Sequence, residues 1–322
     1  QNFMQAIVVD SNVHGRLTRQ EVFAPVPGPS EALVSVRAFS LNRGETKRAL
    51  TTAPAGSRPG WDLAGVVQKA AANGIGPKVG ARVVGLVPSG AWAEQVAVST
   101  EALAELPDGV SFAQAATLPV AGLTALHALY KGGLLLGKRV LITGATGGVG
   151  DYAIQLARLG GATITAHIRR DDQIDFVHTS GAHNVAIGDE WVQSAKEMGP
   201  FDLIVESVGG DVLGAALPML AERGVCVLFG TAGEAPMSFN AQAFYAIGGA
   251  SLYGMLLNDE LRWYEPAKEG LAKLSALIVE GKLTPHITVQ EPWDKTAEVA
   301  QGLLERRYPG KAVLTVGAQE ND

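Results

Sequence analysis

A chain of 322 residues exceeds what one hydrophobic core usually serves, and 47% hydrophobic with 18% charged residues is a folded rather than a disordered balance. The net charge of −6, without a Lys/Arg cluster, argues against a nucleic-acid partner, and no apolar run approaches the roughly 20 residues that span a bilayer. A single cysteine, Cys226, excludes an internal disulfide and multi-cysteine zinc sites.

The opening segment lacks the basic head and long apolar stretch of a secretory signal; Met4 reads as the initiator, and a cytoplasmic location is expected. Ala6–Val9 reads as the first strand. Pro25-Val26-Pro27-Gly28-Pro29-Ser30 is loop chemistry. Leu33–Phe39 is the next strand, with Val34, Val36 and Ala38 alternating against Ser35 and Arg37. Gly65–Val67, Arg82–Leu86 and Glu94–Val98 continue a mostly antiparallel β domain. From about residue 120 the pattern changes. Val140–Ile142 is continuously apolar, as a strand buried on both faces should be, and a helix follows with Val149, Ala153, Leu156 and Leu159 near one face. Strands Thr163–Ala166, Val185–Ile187, Leu203–Val205, Val225–Phe229 and Ala250–Tyr253 then follow, with helices Asp175–Ser180 and Val212–Ala221 among them. That alternation predicts a doubly wound parallel sheet. After it come a helix through Leu271–Ile278 and a short strand, Ala312–Val316, expected to pack back on the first domain.

Between strand and helix stands Thr143-Gly144-Ala145-Thr146-Gly147-Gly148-Val149-Gly150. Read against G-x-G-x-x-G, Ala145 takes the first glycine's place, followed by Gly147 and Gly150. Such a turn lets backbone approach a diphosphate, whose charge rests on the helix N-terminus; the bland reading is a glycine-rich turn that binds nothing. After the next strand, Arg169 and Arg170 stand where an NAD site usually offers a carboxylate. Guanidinium groups clamp phosphate, so NADPH is the expected cofactor. The competing reading leaves both arginines in solvent and gives the ribose to Asp171 or Asp172.

The turn also fits T-G-x-x-x-G-x-G of short-chain dehydrogenases, and Tyr264 and Lys268 fit their Y-x-x-x-K pair, with Ser251 upstream. Three features oppose that assignment: a whole β domain precedes the turn, Pro266 falls inside the required helix, and no N-N-A-G-like segment follows the fourth strand.

Taken together, Leu41–Glu45, Pro59–Val67, Val79–Val83, Ala121–Ala125, the glycine turn, Glu280–Leu283 and Gly310–Leu314 make the chain resemble the quinone oxidoreductase-like branch of the medium-chain dehydrogenase/reductase superfamily. The resemblance implies an α/β fold: a GroES-like, β-rich catalytic domain from residues 1–119 and 256–322, and an inserted Rossmann domain over 120–255. It also implies a homodimer paired along the strand around Ser251-Leu252-Tyr253, acting on a small-molecule substrate. Zinc-dependent relatives use a Cys near Asn42, a His-Glu pair near residues 61–62 and a Cys in the Rossmann half. Here the first cysteine is missing, Trp61-Asp62 replaces the pair, and Cys226 reads as a core residue, so no metal site is expected.

By the same resemblance, Asn42 lies beside nicotinamide and substrate, donating to a developing oxyanion, unless it only caps a loop. Thr124 contacts the carboxamide, Val208 and Gly230 line the cofactor crevice, and Lys311 reaches the cofactor phosphates. Trp61 supplies a pocket wall or is purely structural; Asp62 and Lys47 are pocket candidates or salt-bridged surface residues. The branch often grips the 2′-phosphate with a Ser-Ser pair, a Lys and a Tyr. Arg169-Arg170, Gln173 and Gly188 occupy those places here. The expected activity is zinc-independent hydride transfer from NADPH to a quinone or α,β-unsaturated carbonyl, since a conjugated acceptor spreads the arriving charge. An enoyl-thioester reductase and a non-catalytic NADP(H)-binding redox sensor are the alternatives.

Overall fold

The structure, a computed structural model, describes residues 2–317. It divides into two compact units. One takes the described residues up to Leu123 and from Glu265 onward; the other is Thr124–Tyr264. The expected breaks at 119/120 and 255/256 therefore shift. Val120 stays with the first unit because its amide donates to Asp62 Oδ1 at 3.0 Å. Residues 256–264 stay with the second because Glu260 binds Lys131 at 2.7 Å and also accepts the Tyr253 hydroxyl.

The first unit opens with a separate antiparallel hairpin of β1 (Phe3–Val9) and β2 (Leu17–Phe23). The strands β3 (Glu31–Ser40), β4 (Asp62–Lys69), β5 (Arg82–Leu86), β6 (Gln95–Ser99) and β7 (Leu103–Glu105) follow. β3 is the hub, antiparallel to both β4 and β6, while β5 joins β4 to β7. Its apolar residues Val34, Val36 and Phe39 bury into one core with Leu63, Val83 and Trp92. Immediately after β3, the helix Arg43–Leu50 starts at Asn42.

The second unit holds six parallel strands. They are β8 (Arg139–Ile142), β9 (Thr163–Ile168), β10 (Asn184–Ile187), β11 (Phe201–Glu206), β12 (Leu220–Leu228) and β13 (Ser251–Gly254). Their spatial order is β10-β9-β8-β11-β12-β13, every pairing parallel. The order reverses between β8 and β11, and ligands of open α/β sheets bind in the crevice beyond such a reversal. The helix expected over Val212–Ala221 is shorter, Gly210–Ala216, because Pro218 supplies no amide proton to continue it; β12 begins at Leu220.

The tail then returns to the first unit through the helix Ala267–Val279, β14 (Ile287–Pro292), the helix Thr296–Leu304 and β15 (Lys311–Thr315). β15 pairs parallel to β14 and antiparallel to β3, extending the sheet as β14-β15-β3-β4-β5-β7. Tyr264 closes one helix and Pro266 caps the next, so the Y-x-x-x-K residues share no helix; Lys268 pairs with Glu101 at 2.8 Å.

Candidate active site

The glycine turn joins β8 to the 12-residue helix Gly148–Leu159. Gly144 has φ +56°, and a Cβ there would stand 2.8 Å from Ser207 Oγ. A Cβ on Gly150 would stand 2.7 Å from Ala145 Cα, so only glycine lets the helix start pack on the buried Ala145. Gly147, the N-cap, is exposed, and a Cβ on it would meet only Gly144 O at 3.6 Å. The helical ladder begins with Asp151 N–H donating to Gly147 O, which leaves the amides of Gly148, Val149 and Gly150 outside it. Asp151 Oδ1 accepts Ser180 Oγ at 2.6 Å and Gln155 Nε2 at 3.0 Å. A helix N-terminus with glycine in front of it suits a diphosphate.

Neighbouring strand ends brace the turn. Ala145 N–H donates to His167 O at 3.2 Å, and Gly144 N–H to His167 Nδ1 at 3.4 Å. Burial, with Arg169 nearby, lowers the His167 imidazole to about 4, keeping it the neutral acceptor. At the end of β11, buried Glu206 accepts Thr143 Oγ1 at 2.9 Å and the amides of Val208 and Gly209 at 2.9 and 3.0 Å. Burial raises its carboxyl despite those bonds. Val208 is buried beside the turn, and Gly230 lies against Ser207, where a Cβ would stand 3.2 Å from Ser207 O. Beyond β9, Gln173 Nε2 donates to Thr146 Oγ1 at 3.3 Å, while its Oε1 accepts the amides of Arg169 and Arg170. Arg169 and Arg170 are exposed.

In the first unit a buried polar cluster forms where β15 lies along β3. Lys311, at the start of β15, donates to Leu41 O at 2.7 Å and Asn42 Oδ1 at 2.9 Å, and stands 3.8 Å from Asp62. Asn42 Nδ2 donates to Asp62 Oδ2 at 2.9 Å and Glu45 Oε1 at 3.1 Å. Asp62 also accepts Ser40 Oγ at 2.6 Å, and Glu45 reaches back to the Asn42 amide at 2.9 Å, capping the helix. Burial pushes both carboxyls up: Glu45 rises well above the ordinary range with Asp62 adding to the effect, and Lys311 opposes both shifts. Burial lowers the Lys311 ammonium against the pull of the two acids.

Two expectations change accordingly. Lys311 is buried with its donors committed inside this cluster, rather than extended toward cofactor phosphates. Both amide protons of Asn42 are engaged, so none is left for an oxyanion in this arrangement. Lys47 is exposed on the helix and stands outside the cluster. Trp61 is half-buried, packs against Gly44 and carries the Arg48 guanidinium 5.2 Å from its ring centroid. Thr124 is buried at the start of the helix Leu123–Tyr130. Among the described residues, no group of three or more His, Cys, Asp or Glu is placed to hold a metal ion. Cys226 is buried in β12, its thiol pushed up by burial and by Glu206. Ser40, Glu45 and Glu206 escaped sequence reasoning, because nothing in periodicity pairs polar residues on separate elements. Gln173 stood out only by its place after the arginines.

Residues 28–108 match the family described as alcohol dehydrogenase GroES-like domain, and residues 148–273 the one described as zinc-binding dehydrogenase. The chain is similar to the chloroplast envelope quinone oxidoreductase homolog of Arabidopsis thaliana, 31% identical over 332 residues, covering 97% of this chain and 98% of that one. It is also similar to 2-methylene-furan-3-one reductase of Solanum lycopersicum, 30% identical over 303 residues, covering 88% and 71%. Among solved structures, Escherichia coli quinone oxidoreductase complexed with NADPH superposes with a TM-score of 0.87 at 25% identity, covering 97% and 99%. With a mixed GroES-like sheet, a six-stranded parallel sheet and these relatives over nearly its full length, the chain belongs to the medium-chain dehydrogenase/reductase superfamily, in its quinone oxidoreductase-like branch.

Proposed function

We propose that the protein is a zinc-independent oxidoreductase that passes hydride from NADPH to a small conjugated acceptor, a quinone or an α,β-unsaturated carbonyl. The observation that carries this reading is the glycine turn at a helix N-terminus, with the exposed arginines following the next strand. NADPH supplies the hydride when bound. The chain's own part is to hold the diphosphate on the amides after Gly147, to counter the 2′-phosphate with a guanidinium, and to position the acceptor. Zinc independence rests on the donor set. Where zinc-dependent relatives place ligands, this chain has Trp61 and an Asp62 already bound by Ser40, Asn42 and Val120, with the Lys311 ammonium as the adjacent cation. An acceptor that delocalises charge asks less electrostatic support than an alkoxide would.

The named relatives, a quinone oxidoreductase homolog and a furanone reductase, fit such acceptors. We further infer a homodimer, because β13 lies at one end of its sheet with Leu252 exposed. No helix among the described residues is long and apolar enough to cross a membrane.

A panel of simple quinones, alkenals, enones and enoyl thioesters, each with NADPH and with NADH, tests the reading. Turnover is expected with NADPH and a quinone or enone, undiminished by a chelator, from a particle of twice 33.5 kDa by light scattering. Activity that a chelator abolishes and zinc restores would overturn the metal-free reading. Turnover confined to enoyl thioesters would move the acceptor to that class, and cofactor binding without turnover on any member would favour a sensor.

A further inference from the structure

We propose that Arg169 alone of the two arginines reads the 2′-phosphate, and that Gln173 is the positioning residue that aims it. The inference rests on the NADPH reading above. Arg170 Nε lies 3.2 Å from Asp172 Oδ1, both side chains exposed, so its charge is met by its own loop. Among the described residues, the Arg169 guanidinium makes no ion pair or side-chain hydrogen bond, although the side chain does not simply point into solvent. Its Nη2 lies 3.9 Å from where a Cβ on Gly233 would stand. Gly233 N–H in turn donates to Val208 O at 2.9 Å, placing that loop on the end of β11. In the sheet β8 stands between β9 and β11. Arg169 therefore crosses the carboxyl end of β8, where the glycine turn begins, and holds an uncommitted cation over the crevice.

Gln173 explains why the cation sits there. Its Oε1 accepts the amides of Arg169 at 3.3 Å and Arg170 at 3.2 Å, and its Nε2 donates to Thr146 Oγ1 at 3.3 Å. One side chain thus ties the backbone of the arginine loop to the turn that would hold the diphosphate. Where the resembled enzymes place a lysine that grips the phosphate directly, this chain has a neutral amide. The charge is left to Arg169, and the amide fixes its starting point. Asp172, a rival for the ribose hydroxyls, is occupied by Arg170.

The test is equilibrium binding of NADPH, NADH and adenosine 2′,5′-bisphosphate to the wild type and to Arg169→Ala, Arg170→Ala and Gln173→Met, with melting temperatures alongside. Arg169→Ala is expected to weaken NADPH and the bisphosphate about tenfold or more and to leave NADH within about twofold. Arg170→Ala should cost the 2′-phosphate ligands clearly less than Arg169→Ala, because its guanidinium lies against Asp172. Gln173→Met should weaken the two 2′-phosphate ligands severalfold, spare NADH, and leave melting unchanged. The proposal fails if Arg170→Ala costs as much as Arg169→Ala, or if Gln173→Met weakens NADH as much as NADPH. A wild type that prefers NADPH but ignores Arg169→Ala sinks only this inference; a wild type that binds both dinucleotides alike removes the NADPH reading as well.

Discussion

Two carboxyl groups, Glu45 and Asp62, share one ammonium, Lys311, and all three side chains are buried. Asp62 is met by three hydrogen bonds and by Lys311 at 3.8 Å, whereas Glu45 Oε2 has no hydrogen-bond partner among the described residues. Removing the cation while leaving the anions is the costly direction, because an uncompensated buried charge loses its Coulombic return. Lys311→Met should therefore destabilise the protein by about 3–5 kcal/mol. Pairing it with Asp62→Asn should recover much of that loss, since the two residues couple. Urea unfolding of both variants checks this; a single variant within about 0.5 kcal/mol of wild type would mean the ammonium carries no such duty. Asp62 and Lys311 were both visible in the sequence as candidates. Their meeting was not, because it depends on β15 lying antiparallel to β3, a pairing that side-chain chemistry alone does not announce.

At the scale of elements, the parallel strands were legible because β8 and β11 are buried on both faces and so read as apolar runs. β2 and β14 were not, since most of their residues are exposed or half-buried and the apolar alternation is missing. The helix Arg43–Leu50 hid for a related reason: its buried face is Glu45, Thr46 and Ala49 rather than an apolar stripe. The glycine turn was the most legible feature, and its glycines separate into two roles. Gly147→Ala makes only an ordinary contact, 3.6 Å to Gly144 O, at a φ of −72° that alanine accepts, so the fold should persist. The added methyl would stand at the mouth of the turn and is expected to weaken NADPH about tenfold or more. Gly150→Ala drives a methyl into the Ala145 backbone and should cost about 1–3 kcal/mol of stability as well as binding. Thermal unfolding and NADPH titration of the pair distinguish the roles. Wild-type affinity in Gly147→Ala would mean the diphosphate does not lie there.

For the whole molecule, the buried acids and the buried imidazole set opposing slopes of stability against pH. Glu45 has a folded pKa raised above its ordinary value of 4.5, so its contribution is complete below 4.5 and is lost as pH climbs toward the folded value. Asp62 and Glu206 are raised as well and lean the same way. His167 is lowered from 6.5 to about 4, so its contribution is present above 6.5 and is lost as pH falls toward 4. Between 4.5 and 6.5 His167 opposes the acids, and above 6.5 it no longer does. Glu45→Gln keeps an oxygen for the Asn42 amide and removes the titration. It should therefore make the slope of stability against pH more positive wherever folded Glu45 keeps its proton and the unfolded chain does not. The change in slope should approach about 1.4 kcal/mol per pH unit where one proton separates folded from unfolded chain. Unfolding midpoints of wild type and variant at half-unit steps would show the curves diverging as pH rises. Parallel curves would mean that Glu45 already ionises at its ordinary value, with Lys311 rather than a retained proton balancing it.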